Sequence, residues 1–494
     1  MHPSIIMEKS VCHIFLQIWN MFYPDHAERE KGNAIVKRIW IDMEDLFAFA
    51  QAGARLTGIQ RVVLEICAAF MVAPQMSAQV GFLRHNMQGT GFVVVSWAQV
   101  QAVWQALAGQ SAGDGESLPI RSSSSAAFPH YGLLQKCARR VPSSLRVPAG
   151  NLIRNTRSAV QAGDALAHAI WDMAAHCVFK KSDFAAQVQE FAPEQGDILL
   201  SLGASWSHAL YQNLLRQCRQ RYGMYIGVLV HDLVPLLWPE WCQPGLPAVF
   251  RRWYEQTVPE CDVIFANSES TRQDVLSYAQ QSGNPLSIPV VTLPMGCGFS
   301  GVSSAALSIP TQIEKLGPYV LCAGTLEVRK NHALLLRVWR RLLLERPVHT
   351  VPKLVLAGGQ GWLVDDLLQQ LENSAWLNGH VVWMDRPSDC LMAQLYQQAQ
   401  FTIFPSFYEG WGLPVTESLY WGKPCLSSST SSLPEVGMGL TEMFDPDNAS
   451  QALELVRNVL DQPQRLAAME QQIKARFQPT SWSCAAETLW QTVM

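Results

Sequence analysis

The stretch FTIFPSFYEGWGLPVTESLYWGKPCLSSS, residues 401–429, combines a strand, a glycine-containing loop, a helix and a second strand. The apolar run at 401–406 predicts a buried strand, and Pro414 is a residue favoured at the start of a helix. The run at 424–429 predicts the second strand. Such a strand–helix–strand unit is typical of parallel sheets with helical crossovers.

The same alternation extends outward from this unit to about residue 38. A helical pattern of apolar residues follows the first strand, from Ile59 to Phe70. The predicted strands of a first series are RIWID at 38–42, DILLSLG at 197–203, MYIGVLVHD at 224–232, DVIFANS at 262–268 and VVTLP at 290–294. Those of a second series are YVLCAG at 319–324, KLVLAGG at 353–359, HVVWMD at 380–385, FTIFPS at 401–406 and PCLSSS at 424–429, with helices such as 331–346 and 388–400 between them.

We therefore predict an α/β protein with two Rossmann-like, doubly wound domains that face each other across a cleft. The N-terminal domain spans 38–300, with an insertion at about 109–190, and the C-terminal domain spans 319–476. A Gly/Ser/Pro-rich linker at 301–318 joins them. The apolar spacing of SWSCAAETLWQTV predicts that a helix within 477–494 returns to the N-terminal domain.

Composition favours a folded enzyme. Apolar residues make up 48% and charged residues 16% of the 494 residues, with a formal net charge of −4, which argues against a disordered chain and against nucleic acid as a partner. Twelve cysteines are scattered singly, without a C-x-x-C pair or zinc-ligand spacing. This pattern indicates reduced thiols and a cytoplasmic location.

Residues 1–37 form an N-terminal extension. Its apolar run VCHIFLQIWNMFY at 11–23 is interrupted by His13, Gln17 and Asn20 and lacks the small-residue cleavage site of a signal peptide. The run is also shorter than the ~20 residues that span a bilayer. We expect the extension to be either disordered or associated with a surface.

A basic segment lies within the insertion. Between 117 and 163 there are seven Lys or Arg residues and no Asp or Glu. One interpretation is a solvated face. The other is a patch for an anionic membrane surface or a phosphate-bearing acceptor, because each basic residue near such a surface contributes about 1 kcal/mol. The second interpretation predicts a protein peripheral at the inner face of the membrane.

The loop after the strand at 401–406 has the features of a nucleotide-sugar site. Ligands of open parallel sheets bind beyond the carboxyl ends of the strands, and glycines in the loop, Gly410 and Gly412, allow close approach of the backbone. The following helix points its partly positive amino end at the loop, which suits a phosphate. Glu409 can accept hydrogen bonds from sugar hydroxyls, and Glu417 from a ribose. Alternatively, Glu409 is a solvated loop residue and Glu417 an ordinary first-turn acid.

These segments resemble the retaining glycosyltransferases of family 4, or group 1, which have the two-domain GT-B fold. The resemblance covers nearly all of 38–494 and is strongest in 319–437. It rests on the E-x7-E spacing of YEGWGLPVTES, on LYQQAQFTIFPS before it, GKPCLSSSTSSLPEVG after it and GTLEVRKNH at 324–332. The segments TGIQRVVLE at 57–65 and VHDLVPLLWPE at 230–240 are similar to acceptor-domain segments of the family.

The resemblance implies transfer of a hexose, with mannose from GDP-mannose favoured over UDP-linked sugars, to a saccharide or lipid-linked saccharide acceptor. It implies retention of configuration, a role in surface polysaccharide assembly, no cofactor and no metal. It assigns catalytic roles to Glu409, His231 and Lys330. It places further donor contacts at Gly58, Gly324, Thr325, Arg329, Lys330, Gly410, Trp411, Gly412, Leu413 and Glu417.

Thr325 departs from the family pattern, because many members carry arginine immediately after the glycine of this strand. Lys330 can stabilise the negative charge of a leaving diphosphate, and Arg329 is a second cation beside it. The sequence is compatible with either cation stabilising that charge. For His231, a place beside the donor sugar and a core position hydrogen-bonded to a neighbour such as Asp232 are both compatible with the sequence.

Other functions fit less well. GCGFSG at 296–301 has the spacing of a dinucleotide fingerprint, which would indicate an oxidoreductase, but it lies in the linker rather than at the start of a helix. A catalytically silent carbohydrate-binding relative is a further alternative, kept open by Thr325. FDPDN at 444–448 contains the D-x-D metal motif of other transferases, but Pro446 and the following helix predict a turn and a cap.

Overall fold

The computed structural model describes residues 37–51, 57–109, 120–121, 189–298 and 310–494. Almost all of the N-terminal extension and of the basic segment, and residues 301–309 of the linker, lie outside the described residues. The described chain forms two α/β domains, each built on one sheet.

The strands are β1 (Ile39–Asp42), β2 (Val80–His85), β3 (Phe92–Val95), β4 (Ile120–Arg121), β5 (Gln189–Glu190), β6 (Ile198–Ser201), β7 (Tyr225–Val230), β8 (Val263–Ala266), β9 (Val290–Thr292), β10 (Tyr319–Ala323), β11 (Lys353–Ala357), β12 (Val381–Met384), β13 (Thr402–Phe404), β14 (Cys425–Ser428) and β15 (Glu442–Phe444). The helices are α1 (Glu44–Gln51), α2 (Gly58–Val72), α3 (Pro74–Ser77), α4 (Trp97–Gly109), α5 (Tyr211–Tyr222), α6 (Val234–Leu237), α7 (Leu246–Thr257), α8 (Glu269–Gln281), α9 (Thr311–Glu314), α10 (His332–Glu345), α11 (Asp365–Asn373), α12 (Ala375–Gly379), α13 (Asp389–Gln398), α14 (Leu413–Tyr420), α15 (Leu433–Gly437), α16 (Ala449–Asp461), α17 (Pro463–Arg476) and α18 (Trp482–Val493).

The N-terminal sheet has the order β5-β3-β2-β1-β6-β7-β8-β9. Six neighbouring strands run parallel to one another: β2, β1, β6, β7, β8 and β9. At one edge of the sheet, β3 is antiparallel to both of its neighbours, β2 and β5. Strands β1, β6 and β8 are buried along their whole length, as expected for central strands covered by helices on both faces.

The C-terminal sheet has the order β15-β14-β13-β10-β11-β12-β4. Strands β10 to β15 are parallel. The edge strand β4 is antiparallel to β12 and comes from the insertion in the N-terminal half of the chain. A two-residue segment of the first half of the sequence is thus part of the second sheet.

The ten predicted strands are all present, shortened at their ends. The hairpin of β2 and β3 was not predicted, because VGFLRH mixes apolar and polar residues on a half-buried edge. Arg84 in β2 illustrates this environment, since its guanidinium lies over the ring of Phe47, 4.9 Å from the centroid. In FDPDN the expected turn and cap are confirmed: Asp447 N donates to Asp445 Oδ1 at 2.9 Å, and Asn448 accepts from Gln451 N at 3.0 Å.

Helix α18 packs against α2 of the N-terminal domain. Trp482, Ala485, Ala486 and Leu489 are buried in the same apolar cluster as the residues of β1 and α2. The last described helix therefore completes the core of the first domain. No described helix has the length and apolar character needed to cross a membrane.

The two domains contact each other directly. Trp362 donates its indole N–H to Trp241 O at 2.7 Å, and the Glu435 carboxylate accepts from the N–H of Glu269 at 3.0 Å, at the amino end of α8. The hydrogen bond and the helix dipole at this amino end offset part of the cost of burying the Glu435 carboxylate.

We expect Leu489→Ala to destabilise the protein by about 2–5 kcal/mol, because the substitution leaves a cavity at a fully buried position. Leu344→Ala is the matched control, since Leu344 is 75% exposed in α10 and its truncation should change stability by less than about 0.5 kcal/mol. Urea denaturation of both variants, followed by tryptophan fluorescence, measures the difference. Equal denaturation midpoints would show that α18 is not part of the core.

Candidate functional site

The loop that follows β13 lies against the N-terminal domain. A Cβ atom at Gly410 would lie 1.8 Å from His231 O, so only glycine fits at this position. Thr271 of the N-terminal domain donates its hydroxyl to Gly410 O at 3.2 Å. The close approach that the sequence predicts for Gly410 is therefore made to the carboxyl end of β7.

Glu409 lies in this loop and is only 6% exposed. Its carboxylate accepts hydrogen bonds from Arg329 Nη1 at 2.7 Å and from Lys330 Nζ at 2.6 Å. Burial alone would raise the pKa of Glu409, but the two cations outweigh this effect and lower it to about 2. Glu409 is therefore a fixed, ionised hydrogen-bond acceptor at neutral pH and not a solvated loop residue.

The two cations differ in how many donors the protein already uses. Arg329 also donates to Tyr408 O at 2.5 Å and to Glu327 Oε1 at 2.6 Å. Lys330 carries three N–H groups, and Glu409 is the acceptor that the described residues provide for them. Its ammonium also lies 4.9 Å from the ring centroid of Phe404. Lys330 is thus better placed than Arg329 to bind an additional anion.

Two serine side chains hydrogen-bond to the backbone of the loop that follows β13. Ser431 Oγ accepts from Glu409 N at 2.9 Å. The single hydroxyl proton of Ser432 lies between two carbonyl oxygens, with Oγ 3.0 Å from Glu409 O and 2.6 Å from Trp411 O. Both serines precede α15. The role of this serine-rich run was not predicted, although a polar run before a short helix is a signal for backbone hydrogen bonding.

Glu417 lies in α14 and is 4% exposed. Its Oε1 accepts from Arg61 Nη1 of α2 at 2.7 Å, and its Oε2 accepts from the Tyr396 hydroxyl at 2.7 Å. Arg61 also donates to Gly298 O at 2.8 Å. Glu417 therefore forms an ion pair between the two domains, and a ribose would have to share or replace these hydrogen bonds.

Two more of the predicted donor-binding residues meet at the start of α14. Gly412 has a φ of +113°, which favours glycine, and Leu433 occupies the space where a side chain would be. Leu413 is the first residue of α14, and its Cδ1 lies 3.9 Å from the position of a Cβ at Gly58. The start of α2 and the start of α14 are thus adjacent across the domain boundary.

The end of β10 lies beside the Lys330 side chain. A Cβ at Gly324 would be 3.7 Å from Lys330 Cε, and Thr325 Cγ2 lies 2.9 Å from the position of a Cβ at Gly361. Thr325, at the position where many family members have arginine, therefore lies close to Gly361 in the loop after the neighbouring strand β11. Trp411 packs against apolar residues of both domains, and its indole N–H is buried without a partner among the described residues.

His231 immediately follows β7 and is buried. Its Nε2 lies 2.8 Å from Leu202 O, so the neutral ring carries its proton on this nitrogen. The neighbour Asp232 instead accepts from Val234 N at 3.0 Å. Burial lowers the pKa of His231 to about 4, so the ring is neutral at pH 7 and is a weak base.

Of the twelve predicted site residues, those of the N-terminal domain (Gly58 and His231) meet those of the C-terminal domain at one boundary. Arg61 and Tyr396 were not predicted. A helical arginine carries no sequence signal for its partner in another domain, although it lies in the quoted segment TGIQRVVLE. Among the described residues, no group of three or more His, Cys, Asp or Glu side chains is arranged to hold a metal ion.

Comparison with protein families gives a match that covers the C-terminal domain. Residues 307–476 match the family model described as "Glycosyl transferases group 1". This match confirms the resemblance to group 1 glycosyltransferases predicted from the sequence. The matched region includes Lys330, Glu409 and Glu417.

Two curated relatives are mannosyltransferases of Escherichia coli. The serotype-specific mannosyltransferase WbdA is 29% identical over 212 residues, which cover 41% of this chain and 25% of WbdA. The O-antigen chain mannosyltransferase B is 26% identical over 266 residues, which cover 52% of this chain and 68% of that protein. The chain thus spans only about a quarter of the length of WbdA.

A solved structure confirms the fold. HepE of Anabaena, in complex with UDP, superposes with a TM-score of 0.53 at 12% identity, and the match covers 92% of this chain and 99% of HepE. The protein therefore has the GT-B fold that the sequence predicts.

We expect the stabilising effect of Glu409 to depend on pH. Because its folded pKa is about 2 and its ordinary value is 4.5, its contribution is present above pH 4.5 and is lost as the pH falls toward 2. The difference in unfolding free energy between the wild type and Glu409→Gln should therefore narrow by about 2 kcal/mol from pH 5 to pH 3. Urea denaturation across this range measures it.

Glu435→Gln is the control for this titration. Burial raises the pKa of Glu435, so the ionised form is disfavoured in the folded state and the stability difference should change in the opposite direction with pH. A difference for Glu409→Gln that does not vary with pH would contradict the ion pairs described for this carboxylate.

Proposed function

We propose that this protein is a retaining glycosyltransferase that moves a hexose from a nucleotide-sugar to a saccharide or lipid-linked saccharide acceptor. The observation that carries the proposal is the position of the ionised Glu409 carboxylate. It is held by Lys330 and Arg329 of the C-terminal domain and lies in a loop packed against His231 of the N-terminal domain. The match of residues 307–476 to group 1 glycosyltransferases supports the same conclusion.

The ion pairs suit the departure of a diphosphate. Negative charge develops on the leaving group as the sugar–phosphate bond breaks, and a preorganised cation stabilises it. Lys330 has N–H donors that the described protein atoms do not use, whereas Arg329 is engaged by three acceptors. We assign the diphosphate contact to Lys330 and a supporting role to Arg329, which holds Glu409 and Lys330 in place.

The proposed reaction takes place on one face of the sugar. The diphosphate leaves while the acceptor hydroxyl attacks from the same side, and the hydroxyl proton passes to the leaving phosphate oxygen. The configuration at the anomeric carbon is retained, and no protein nucleophile is required. Neutral His231 donates its Nε2–H to Leu202 O, so its Nδ1 can accept a hydrogen bond from a sugar hydroxyl. Its low pKa makes it too weak a base to take the hydroxyl proton at neutral pH.

We propose mannose as the transferred sugar and surface polysaccharide as the product class. The support is that two curated relatives are named as a serotype-specific mannosyltransferase and an O-antigen chain mannosyltransferase. GDP-mannose is the donor favoured, although HepE was crystallised with UDP. We further propose that the reaction needs no metal or cofactor, and that the protein works at an anionic membrane surface where a lipid-linked acceptor is presented.

We expect Lys330→Ala to lower kcat/KM by about 10²–10³, because it removes a charged donor from a desolvated site. Arg329→Ala should instead destabilise the fold by about 3–5 kcal/mol, since it leaves Glu327 and Glu409 buried without their guanidinium partner. Lys315→Ala, at an exposed lysine, is the control for loss of a positive charge. Release of nucleoside diphosphate and thermal melting of each variant separate the two effects.

The roles would be reversed if Arg329→Ala kept its melting temperature and lost as much activity as Lys330→Ala. Full activity of both Lys330→Ala and Glu409→Ala in folded protein would exclude this site altogether.

A donor panel tests the proposed reaction directly. With GDP- and UDP-linked hexoses as donors, we expect GDP-mannose to give the most product, and EDTA should not lower the yield. NMR of the new linkage should show the same anomeric configuration as the donor. Thermal stabilisation by GDP or UDP, but not by NAD, is the expected binding result. An inverted anomer would contradict the same-face mechanism, and stabilisation by NAD alone would favour an oxidoreductase.

A further inference from the structure

The side chain of Arg61 links three parts of the protein at the domain boundary. It projects from α2 of the N-terminal domain, and its Nη1 donates to Glu417 Oε1 of α14 at 2.7 Å. Its Nη2 donates to Gly298 O at 2.8 Å, in the segment that leads out of the N-terminal domain. One guanidinium therefore holds both the carboxylate proposed for the ribose and the chain that connects the two domains.

Two chain segments that connect the domains lie side by side at this point. Cys297 N, on the segment that leaves the N-terminal domain, donates to Thr480 O on the segment that returns to it, at 3.1 Å. The leaving segment includes Gly298, whose φ of +93° is one that glycine adopts without strain. We define the hinge as residues 296–298 and 480–482, because a change in the relative orientation of the domains would bend the chain at both.

Glu417 has little room for further donors while Arg61 is bound. Its side chain is 6% exposed, and its two oxygens accept from Arg61 and from the Tyr396 hydroxyl. The two hydroxyls of a ribose diol therefore reach the carboxylate only if one of these donors moves. Tyr396 is fully buried in the same domain as Glu417, whereas Arg61 comes from the other domain and its side chain is 19% exposed. Arg61 is thus the donor that can leave.

The shape of the guanidinium couples the donor site to the hinge. Its N–H donors form a planar, rigid fork, and the bonds to Glu417 and Gly298 come from the two terminal nitrogens of that plane. Movement of Nη1 away from the carboxylate therefore also moves Nη2 away from the hinge carbonyl. A lysine at this position could neutralise Glu417, but a single ammonium lacks this fixed coupling.

We propose that Arg61 is a latch between the donor site and the hinge. The ribose diol of a bound nucleoside diphosphate displaces Arg61 from Glu417, and this displacement releases Gly298. The inference rests on the proposed function for the ribose contact at Glu417. Because the carboxylate that the donor needs also holds the two domains together, nucleotide affinity is lowered by the cost of breaking a buried ion pair.

Isothermal titration calorimetry with the full chain tests the displacement. GDP and UDP are compared with their 2′,3′-dideoxy forms, which lack the diol. We expect Arg61→Met to tighten the binding of the ribonucleotide by about tenfold, because no ion pair has to be broken, and to change the binding of the dideoxy form by less than about twofold. Arg216→Met is the matched control, because it removes another Arg–Glu pair, with Glu260 at 2.6 Å inside the N-terminal domain, and should bind like the wild type.

Hydrogen–deuterium exchange at the Cys297 amide measures the release of the hinge. We expect the ribonucleotide, and not its dideoxy form, to accelerate exchange in the wild type. In Arg61→Met, exchange should be fast before any nucleotide is added. Arg61→Lys keeps a positive charge beside Glu417 and provides the test if the methionine variant does not fold. Its exchange at Cys297 should no longer respond to the ribose diol, because the fork is absent.

Two results would overturn the latch and leave the proposed function standing. One is an equal response of ribonucleotides and dideoxynucleotides to Arg61→Met. The other is weaker binding of the ribonucleotide by that variant, which would show that Arg61 contacts the nucleotide itself. Failure of every nucleotide to bind the wild type and the variants would reject the latch and the proposed function together. Diol-dependent release of the hinge without sugar transfer from any donor would leave the latch standing and reject the transferase.

Discussion

The buried carboxylate of Glu409 is the group on which the arrangement of the two domains depends. An ionised carboxylate removed from water is costly unless charged partners compensate it, and here Arg329 and Lys330 do so from the segment that follows β10. The same loop must then approach β7 so closely that residue 410 has no side chain. Electrostatics inside one domain and packing between the two domains thus act on a single loop.

Glu417, the second carboxylate of the E-x7-E motif, is also buried and ion-paired, but its partner comes from the other domain. Glu417 is neutralised by Arg61, which α2 places at the boundary. Both acids therefore hold cations in position before any ligand arrives. Such preorganisation reduces the reorganisation that a site must undergo when new negative charge appears. It also means that a bound nucleotide would redistribute existing ion pairs and would not enter an empty, solvated groove.

The architecture was predictable from sequence because the central strands are fully buried and read as short apolar runs, as in β6, β8 and β10. Glu409 was predicted because glycines, a helix start and a carboxylate spacing mark its loop, whereas Lys330 was predicted from the resemblance of GTLEVRKNH to the family. The β2–β3 hairpin was missed because a half-covered edge tolerates polar residues such as Arg84. Arg61 was missed because its hydrogen-bond partners are distant in sequence. The periodicity of a helix indicates which side chains face the core, but it does not show which polar side chain contacts another domain.

The position of α18 has a consequence for how the chain is synthesised. Because Trp482 and Leu489 belong to the core of the first domain, the apolar surface of α2 stays incompletely covered until the whole second domain has emerged from the ribosome. At typical elongation rates this delay is roughly 10–40 s. During that interval the nascent chain exposes an apolar face of the kind that chaperones bind. The C-terminal domain is topologically an insertion within the fold of the N-terminal domain.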